Sequence, residues 1–295
     1  MGARERQPGG GAARRAAAAL GLVLGMLPVA VPNPAAAVPG SNNDIYVEDS
    51  TGGTRRALVT GAGDDASPSW SPNGSLAFDS NRDGDYDIYL LSPDGRTLTY
   101  FDSFGTDIDP AYSPDGHRIA FSSDRIGPRD IWVMNEDGTG LRAATSNGHD
   151  SHPAWSPDGS RIAFTRQDAN GLNIWVVGAD GSGLTQLSHN HNDGAPSWSP
   201  DGRSIAFDSA ANAVKVMNAD GSGVRTITQG GEPVWTLGGT RIVYVHIDAK
   251  ATYADRLWAV SPDGSNNGPL GDQTGDALRP AWNAATGQIA FTYHP

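Results

Sequence analysis

The chain has 295 residues, of which 38 are Gly, 20 are Pro and none is Cys, and only 18% are charged. This abundance of turn-forming residues is typical of a fold with many short strands, and a chain without cysteine has no disulfide bonds. The formal net charge is −12 and the only lysines are Lys215 and Lys250. This charge balance argues against a nucleic-acid partner, because phosphate binding needs concentrated Lys and Arg.

The first residues have the pattern of a secretory signal. Four arginines precede an apolar run from Ala16 to Val31, and small residues then suit cleavage before Val38. A transmembrane helix is the alternative, but the run contains Pro28 and is shorter than the roughly 20 residues that a span requires. We predict a signal peptide over residues 1–37, followed by one monomeric domain over 38–295 without a membrane span.

A motif that combines a proline, an aromatic residue and a turn recurs along the chain. Repeats of roughly 40 residues are typical of propeller blades. The copies are Pro68-Ser-Trp-Ser-Pro-Asn-Gly, Pro110-Ala-Tyr-Ser-Pro-Asp-Gly, Pro153-Ala-Trp-Ser-Pro-Asp-Gly, Pro196-Ser-Trp-Ser-Pro-Asp-Gly, and the weaker Pro233-Val-Trp-Thr and Pro280-Ala-Trp-Asn.

Each repeat predicts four short strands. The first ends at the aromatic residue and is followed by a turn in which Pro presets φ and Gly takes the left-handed position. The second alternates large and small residues, as in Ile119-Ala-Phe121, and the third, as in Asp130-Ile-Trp-Val133, ends in an Asp-Gly hairpin. A weaker outer strand follows, as at Gly183–Leu187. The pattern predicts an all-β, six-bladed propeller with four-stranded antiparallel blades.

The two ends of the chain complement each other. The C-terminal repeat stops after two strands, the second being Ile289-Ala-Phe291, whereas Asp44-Ile-Tyr-Val47 has the sequence of a third strand. We therefore predict that the last blade takes two strands from each terminus, which removes the open edges of an incomplete blade.

The pattern P-x-W-S-P-D-G-x-x-I-A-F, followed by D-I-W-V-M, resembles the WD40-like PD40 repeat of TolB-type propellers. Strong copies cover residues 68–223. The resemblance implies a propeller in the cell envelope with a protein partner, since the propeller of the family's namesake binds an outer-membrane lipoprotein. The namesake also has an N-terminal α/β domain, which this sequence is not expected to have because its blades follow the predicted cleavage site directly. The fold alone assigns no activity.

Acidic residues precede the repeat proline in every copy. Because the first strand of a blade lies nearest the propeller axis, these residues are predicted at one mouth of the central channel. There they could bind a cation or a basic segment of a partner. The alternative, which we favour, is that each satisfies backbone donors of its own loop. The residues are Asp65, Asp107, Asp150, Asp193, Asp276 and Glu232.

Four histidines fall in two of the same loops: His149 and His152 in one, His189 and His191 in the other. Imidazole beside carboxylate can bind a transition metal, and some pectin-degrading lyases with TolB-like repeats have a metal-bearing face. The interpretation we favour is that these histidines are exposed polar loop residues.

A second acidic pattern, Asp83-Gly-Asp85-Tyr-Asp87, superficially resembles a calcium loop. It lacks the later bidentate Glu of an EF-hand and lies where the other repeats have an ordinary hairpin. We interpret it as a turn.

The sequence has neither a G-x-S-x-G elbow nor a cysteine nucleophile. The leading hypothesis is therefore an exported, non-catalytic propeller that binds a protein or peptide at its Asp- and His-bearing mouth, in the envelope or outside the cell. We predict no cofactor, with a divalent cation bound at the channel mouth as the alternative. The alternatives are a metal-dependent polysaccharide lyase or hydrolase that uses the four histidines, and a sensor of cell-wall fragments.

Overall fold

The computed structural model describes residues 27–29, 42–50, 53–146, 148–210, 212–247, 255–271 and 274–294. These residues form six antiparallel sheets arranged as the blades of a propeller, which confirms the predicted fold class. Within the described ranges there is no α-helix, only a 3-10 turn at Leu237–Gly239, and hence no helix that could cross a membrane.

Five blades are built from consecutive strands. Blade 1 contains β4 (Asp65–Trp70), β5 (Leu76–Ser80), β6 (Asp87–Leu91) and β7 (Leu98–Phe101). Blade 2 contains β8 (Asp107–Tyr112), β9 (Arg118–Ser123), β10 (Asp130–Asn135) and β11 (Arg142–Ala143). Blade 3 contains β12 (Asp150–Trp155), β13 (Arg161–Asp168), β14 (Gly171–Gly178) and β15 (Thr185–Gln186). Blade 4 contains β16 (Asp193–Trp198), β17 (Ser204–Ser209), β18 (Ala213–Asn218) and β19 (Arg225–Gln229). Blade 5 contains β20 (Gly231–Trp235), β21 (Ile242–Ile247), β22 (Asp255–Val260) and β23 (Gly268–Pro269).

Blade 6 is shared between the termini, as predicted. Its strand order is β24 (Asp276–Trp282), β25 (Gln288–His294), β2 (Asp44–Asp49) and β3 (Arg56–Val59). The closing pair β2–β25 is antiparallel, with Asp44 opposite Tyr293 and Asp49 opposite Gln288. Each terminal segment therefore satisfies the backbone groups that the other would expose at an edge.

Blade 1 has a fifth strand. Strand β1 (Leu27–Val29) pairs with the outer strand β7, with Leu27 opposite Tyr100. It lies within the segment predicted as a signal peptide. The rest of that segment and the predicted cleavage point lie outside the described residues.

The hydrophobic core lies between neighbouring blades, and the second strand of each blade supplies buried side chains to it. The large aromatic of that strand is fully buried in every blade, at Phe78, Phe121, Phe164, Phe207, Tyr244 and Phe291. On the opposite face the strand carries a small residue such as Ala77, which belongs to one buried cluster with Phe121 and Trp132 of the next blade. Large side chains of one blade thus fill the space that small ones leave in its neighbour, which gives a densely packed interior.

Candidate functional site

The six first strands surround a central channel that encloses about 380 Å³. Each blade contributes four equivalent positions: the residue before the repeat proline, the proline, a small residue and the aromatic residue. The lining segments are 67–70, 109–112, 152–155, 195–198, 232–235 and 279–282.

The residue before the proline has a left-handed backbone in every blade. Its φ lies between 45° and 55° in all six, although none of the six residues is glycine. At the same point each first strand loses register with the second, as between Ala66 and Ser69 of β4. A bulge of this kind re-aims a side chain, here towards the axis. We call the six residues the mouth ring: Ser67, Asp109, His152, Ala195, Glu232 and Arg279.

Contacts between blades hold the mouth ring in place. In several blades the backbone N–H of the ring residue donates to a side chain on the second strand of the preceding blade. Asp109 donates to Asp79 Oδ1 at 3.1 Å, Ala195 to Thr165 Oγ1 at 3.0 Å, Glu232 to Asp208 Oδ2 at 3.2 Å, and Ser67 to Thr292 Oγ1 at 3.2 Å. The bulges therefore leave these backbone donors satisfied within the channel wall.

The mouth ring carries an asymmetric set of charges. Arg279 donates through Nη1 to Asp109 Oδ1 and to Ser67 Oγ, and its backbone N–H donates to Glu232 Oε2 at 2.6 Å. His152 is half-buried, and its Nδ1 lies 4.0 Å from Asp109 Oδ2. With Asp79 and Asp208 directly behind the ring, four carboxylates face one guanidinium and one imidazole.

Burial and neighbouring charges perturb the titration of these carboxylates. Burial disfavours ionisation of Asp109, but the charges of His152 and Arg279 outweigh it and lower its pKa to about 2. For Asp79, burial and the charge of Asp109 raise the pKa to about 6. Burial also raises the pKa of Glu232.

The carboxylates predicted three residues before the proline lie elsewhere. Asp65, Asp107, Asp150 and Asp193 begin the first strands, are almost fully buried, and are not among the residues that line the channel. Their partners are structural. Asp65 binds Arg82 at 2.6 Å and Asp107 binds Arg125 at 2.6 Å. Asp150 binds Arg166 through two bonds of 2.7 Å, and Asp193 accepts from Ser209 Oγ at 2.6 Å.

The remaining predicted residues divide between the channel and the surface. Glu232 and His152 belong to the mouth ring, whereas Asp276 is half-buried at the start of β24 and accepts the Asp255 N–H at 3.3 Å. His149 is exposed beside a cavity between blades 2 and 3, and His189 and His191 are exposed in the loop before β16. Within the described part of the chain, the four histidines belong to no group of three or more metal-ligating residues. A binding role for the predicted residues stays a prediction.

Comparison with known families assigns this propeller. The model of the TolB beta propeller domain, PD40, matches residues 38–212 and 139–254. The chain belongs to this family.

Individual relatives agree with a TolB-type propeller. A protein TolB homolog of Chlorobium luteolum is 40% identical over 68 residues, which span 22% of this chain and 15% of that protein. A protein of Agrobacterium tumefaciens assigned as a TolB superposes with a TM-score of 0.74 at 24% identity, over 87% of this chain and 100% of that one. TolB from Acinetobacter baumannii superposes with a TM-score of 0.73 at 22% identity, over 88% of this chain and 66% of that one. An oligogalacturonate lyase in complex with manganese shares the fold, with a TM-score of 0.57 at 16% identity, over 83% of this chain and 76% of that one.

One feature of the sequence of this TolB-type propeller indicates the mouth ring, but the prediction of site residues from their spacing did not consider it. The position before the repeat proline is Ser, Asp, His, Ala, Glu or Arg, whereas the proline and the aromatic residue around it hardly change. Because the prediction considered only acidic residues at a fixed spacing and the histidines beside them, it did not include Ser67, Asp109, Ala195 and Arg279 among the channel residues. The bulge that turns them inwards is visible only in the folded strand.

Proposed function

We propose that this TolB-type propeller is an exported, non-catalytic scaffold that binds a protein or peptide segment at the mouth of its channel, in the envelope or outside the cell. The observation that carries the proposal is the mouth ring: six equivalent positions with one unusual backbone conformation and six different side chains. Positions that serve the repeated fold are alike from blade to blade. Positions that differ within a fixed geometry are suited to recognising an asymmetric partner.

The charges of the ring favour a partner with a basic group. Asp109 and Glu232 belong to the ring, and Asp79 and Asp208 lie behind it, whereas Arg279 and His152 supply the basic side chains there. A Lys side chain, an Arg side chain or the N-terminal amine of the partner would neutralise more of the negative charge of these carboxylates. The channel of about 380 Å³ is large enough to admit a few side chains of an extended segment.

The lyase hypothesis gains no support from the geometry. His152 lies on the channel, whereas His149, His189 and His191 are exposed in surface loops. Ligands of one metal ion must converge within about 2.0–2.2 Å of it. The likeness to the manganese-bound lyase concerns the fold alone.

Site-specific photocrosslinking in the producing cell tests the proposal. A photoreactive amino acid replaces Ala195, which lines the channel, and in the matched control it replaces Asp201, in the exposed turn at the other end of the same first strand. We expect a defined protein adduct from position 195 and none from 201. The adduct should weaken when Asp109→Asn and Glu232→Gln remove two carboxylates from the ring. Equal adducts from both positions, or none from 195, would contradict binding at the mouth.

A further inference from the structure

The outer edge of blade 1 differs from the outer edges of the other blades. Edge strands of soluble proteins are usually short, or carry a charge or a proline that discourages pairing with another strand. The outer strands β3, β11 and β19 each contain an arginine, and β15 and β23 are two residues long. Strand β7 has four residues, Leu98-Thr-Tyr-Phe101, with neither a charge nor a proline. The edge of blade 1 is therefore suited to pairing with a further strand.

The backbone groups of Leu98 and Tyr100 face this edge. In an antiparallel pair, successive residues direct their N–H and C=O groups alternately to the two sides of the strand. The Ser92 N–H donates to the Thr97 carbonyl at 2.8 Å, so the backbone groups of Thr97 face β6, as do those of Thr99 two residues later. Leu98 and Tyr100 consequently direct their backbone groups outwards, away from β6.

Strand β1 pairs with β7 in a register that agrees with the position of its proline. Pro28 lies opposite Thr99, whose backbone groups face β6, so the missing N–H of proline costs no hydrogen bond between the two strands. Its neighbours Leu27 and Val29 lie opposite the two outward-facing residues of β7 and can exchange backbone hydrogen bonds with them. A proline moved by one residue would remove one of these bonds.

A cavity of about 320 Å³ adjoins the middle of this edge. It is lined by Leu90, Pro93 and Thr99 of blade 1 and by Glu136 and Asp137 of blade 2, among others. Directly opposite residues of an antiparallel pair direct their side chains to the same face. The residue that an added strand places opposite Thr99 therefore lies on the side of the cavity, which leaves room for its side chain. A ladder edge with such a pocket is an arrangement that binds extended segments.

We propose that the outer edge of blade 1 is a strand-addition site and that its occupant is the chain's own N-terminal segment, centred on Leu27-Pro28-Val29. The segment matches the edge in its extended backbone, in its lack of charge and in having proline where no N–H is needed. While the segment is present, it protects the edge from pairing with other chains. Removal of the predicted signal peptide over residues 1–37 would open the site. The site lies on the strand farthest from the channel and is independent of the function proposed for the mouth ring.

Backbone amide exchange in the full-length chain tests whether the segment occupies the edge. The test variant combines Leu27→Pro with Pro28→Leu, which moves the proline by one residue and keeps the composition. The matched control is Pro28→Ala. We expect the amides of Leu98 and Tyr100 to exchange at least about tenfold faster in the test variant than in the control, since the loss of β1 leaves them without hydrogen bonds. The amide of Thr99, which bonds within blade 1, should exchange alike in both.

The full-length test variant, whose edge is open, also tests the site with an added peptide. The probe is a fluorescently labelled peptide of residues 24–32, and the control peptide carries the same exchange of Leu27 and Pro28. We expect saturable binding of the first peptide and at least about tenfold weaker binding of the second, which lacks a backbone donor at residue 27. The proposal is overturned if the two peptides bind equally or if neither binds. It is also overturned if the amides of Leu98 and Tyr100 exchange at equal rates in the two full-length variants.

Discussion

The guanidinium of Arg279, in blade 6, donates to the carboxylate of Asp109, in blade 2, across the edge of blade 1 at the channel mouth. The same side chain contacts Ser67 of blade 1, and its backbone N–H is bound by Glu232 of blade 5. One residue therefore ties four consecutive blades together at the mouth. A basic group from a partner would enter this network in competition with Arg279, which makes the mouth sensitive to the charge of what binds there.

Replacement of Arg279 by Gln should destabilise the fold at pH 7, because Asp109 would remain buried without its guanidinium partner. Breaking a buried pair costs about 3–5 kcal/mol, but the side chain of Arg279 is 35% exposed, so we expect a loss of about 1–3 kcal/mol. Urea unfolding measures the loss. The control is Arg225→Gln, whose guanidinium is exposed and donates to the Pro262 carbonyl. Equal losses in the two variants would show that the Arg279 network adds no stability.

Asp79→Asn should stabilise the protein at neutral pH. Its pKa is raised from 3.8 to about 6 in the folded state, so the folded chain binds more protons than the unfolded chain between these values, and stability falls as the pH rises through them. The amide keeps an oxygen that can accept the Asp109 N–H but carries no charge. We expect a gain on the order of 2 kcal/mol at pH 7.5 and almost none near pH 4. Melting temperatures at both pH values measure it, and a gain that is independent of pH would contradict the assignment.

The fold was predictable because one sequence pattern is repeated with its turn chemistry. The Ser-Pro-Asp-Gly turn fixes the boundary between first and second strands, and the alternation Ile119-Ala-Phe121 fixes which face is buried. The shared blade followed from counting strands at the two ends. The outer strands were less predictable: Gly183–Leu187 was expected to form one, and only Thr185–Gln186 does. An outer strand is mostly exposed, so hydrophobic alternation constrains it weakly.

In four blades the aspartates predicted at the channel mouth lie two residues before the residues that line it. The bulge in each first strand causes this difference. Alternation along a regular strand would give Asp107 and Asp109 the same face. The register shift between Ile108 and Ala111 sends Asp109 into the channel, while Asp107 stays buried beside Arg125. A left-handed backbone at a non-glycine residue is uncommon and is not encoded in local propensity. The partner Arg82, two residues beyond the end of β5, was visible in the sequence but was not matched with Asp65.

Arg166→Gln tests the structural role of the aspartates that begin the first strands. Asp150 is fully buried and receives two bonds of 2.7 Å from the guanidinium, so loss of Arg166 would leave an unpaired buried carboxylate. We expect a destabilisation of about 3–5 kcal/mol in chemical unfolding. The control is Arg129→Gln, whose partly exposed pair with Asp124 at 4.0 Å should contribute less than about 1 kcal/mol. Similar small effects of both substitutions would indicate that Asp150 is not held by Arg166 in solution.

Ile45→Ala tests whether the N-terminal strand is integral to the closed propeller. Ile45 of β2 and Ile131 of β10 occupy equivalent positions in the third strands of blades 6 and 2, and both are fully buried. Truncating a buried Ile costs about 2–5 kcal/mol through lost burial and the cavity left behind. If β2 closes the propeller, Ile45→Ala and Ile131→Ala should lower the free energy of unfolding by similar amounts in urea titrations. If instead the other blades fold without β2, the terminal substitution will cost far less than the internal one, and the loss of β2 will appear as a separate transition at low urea.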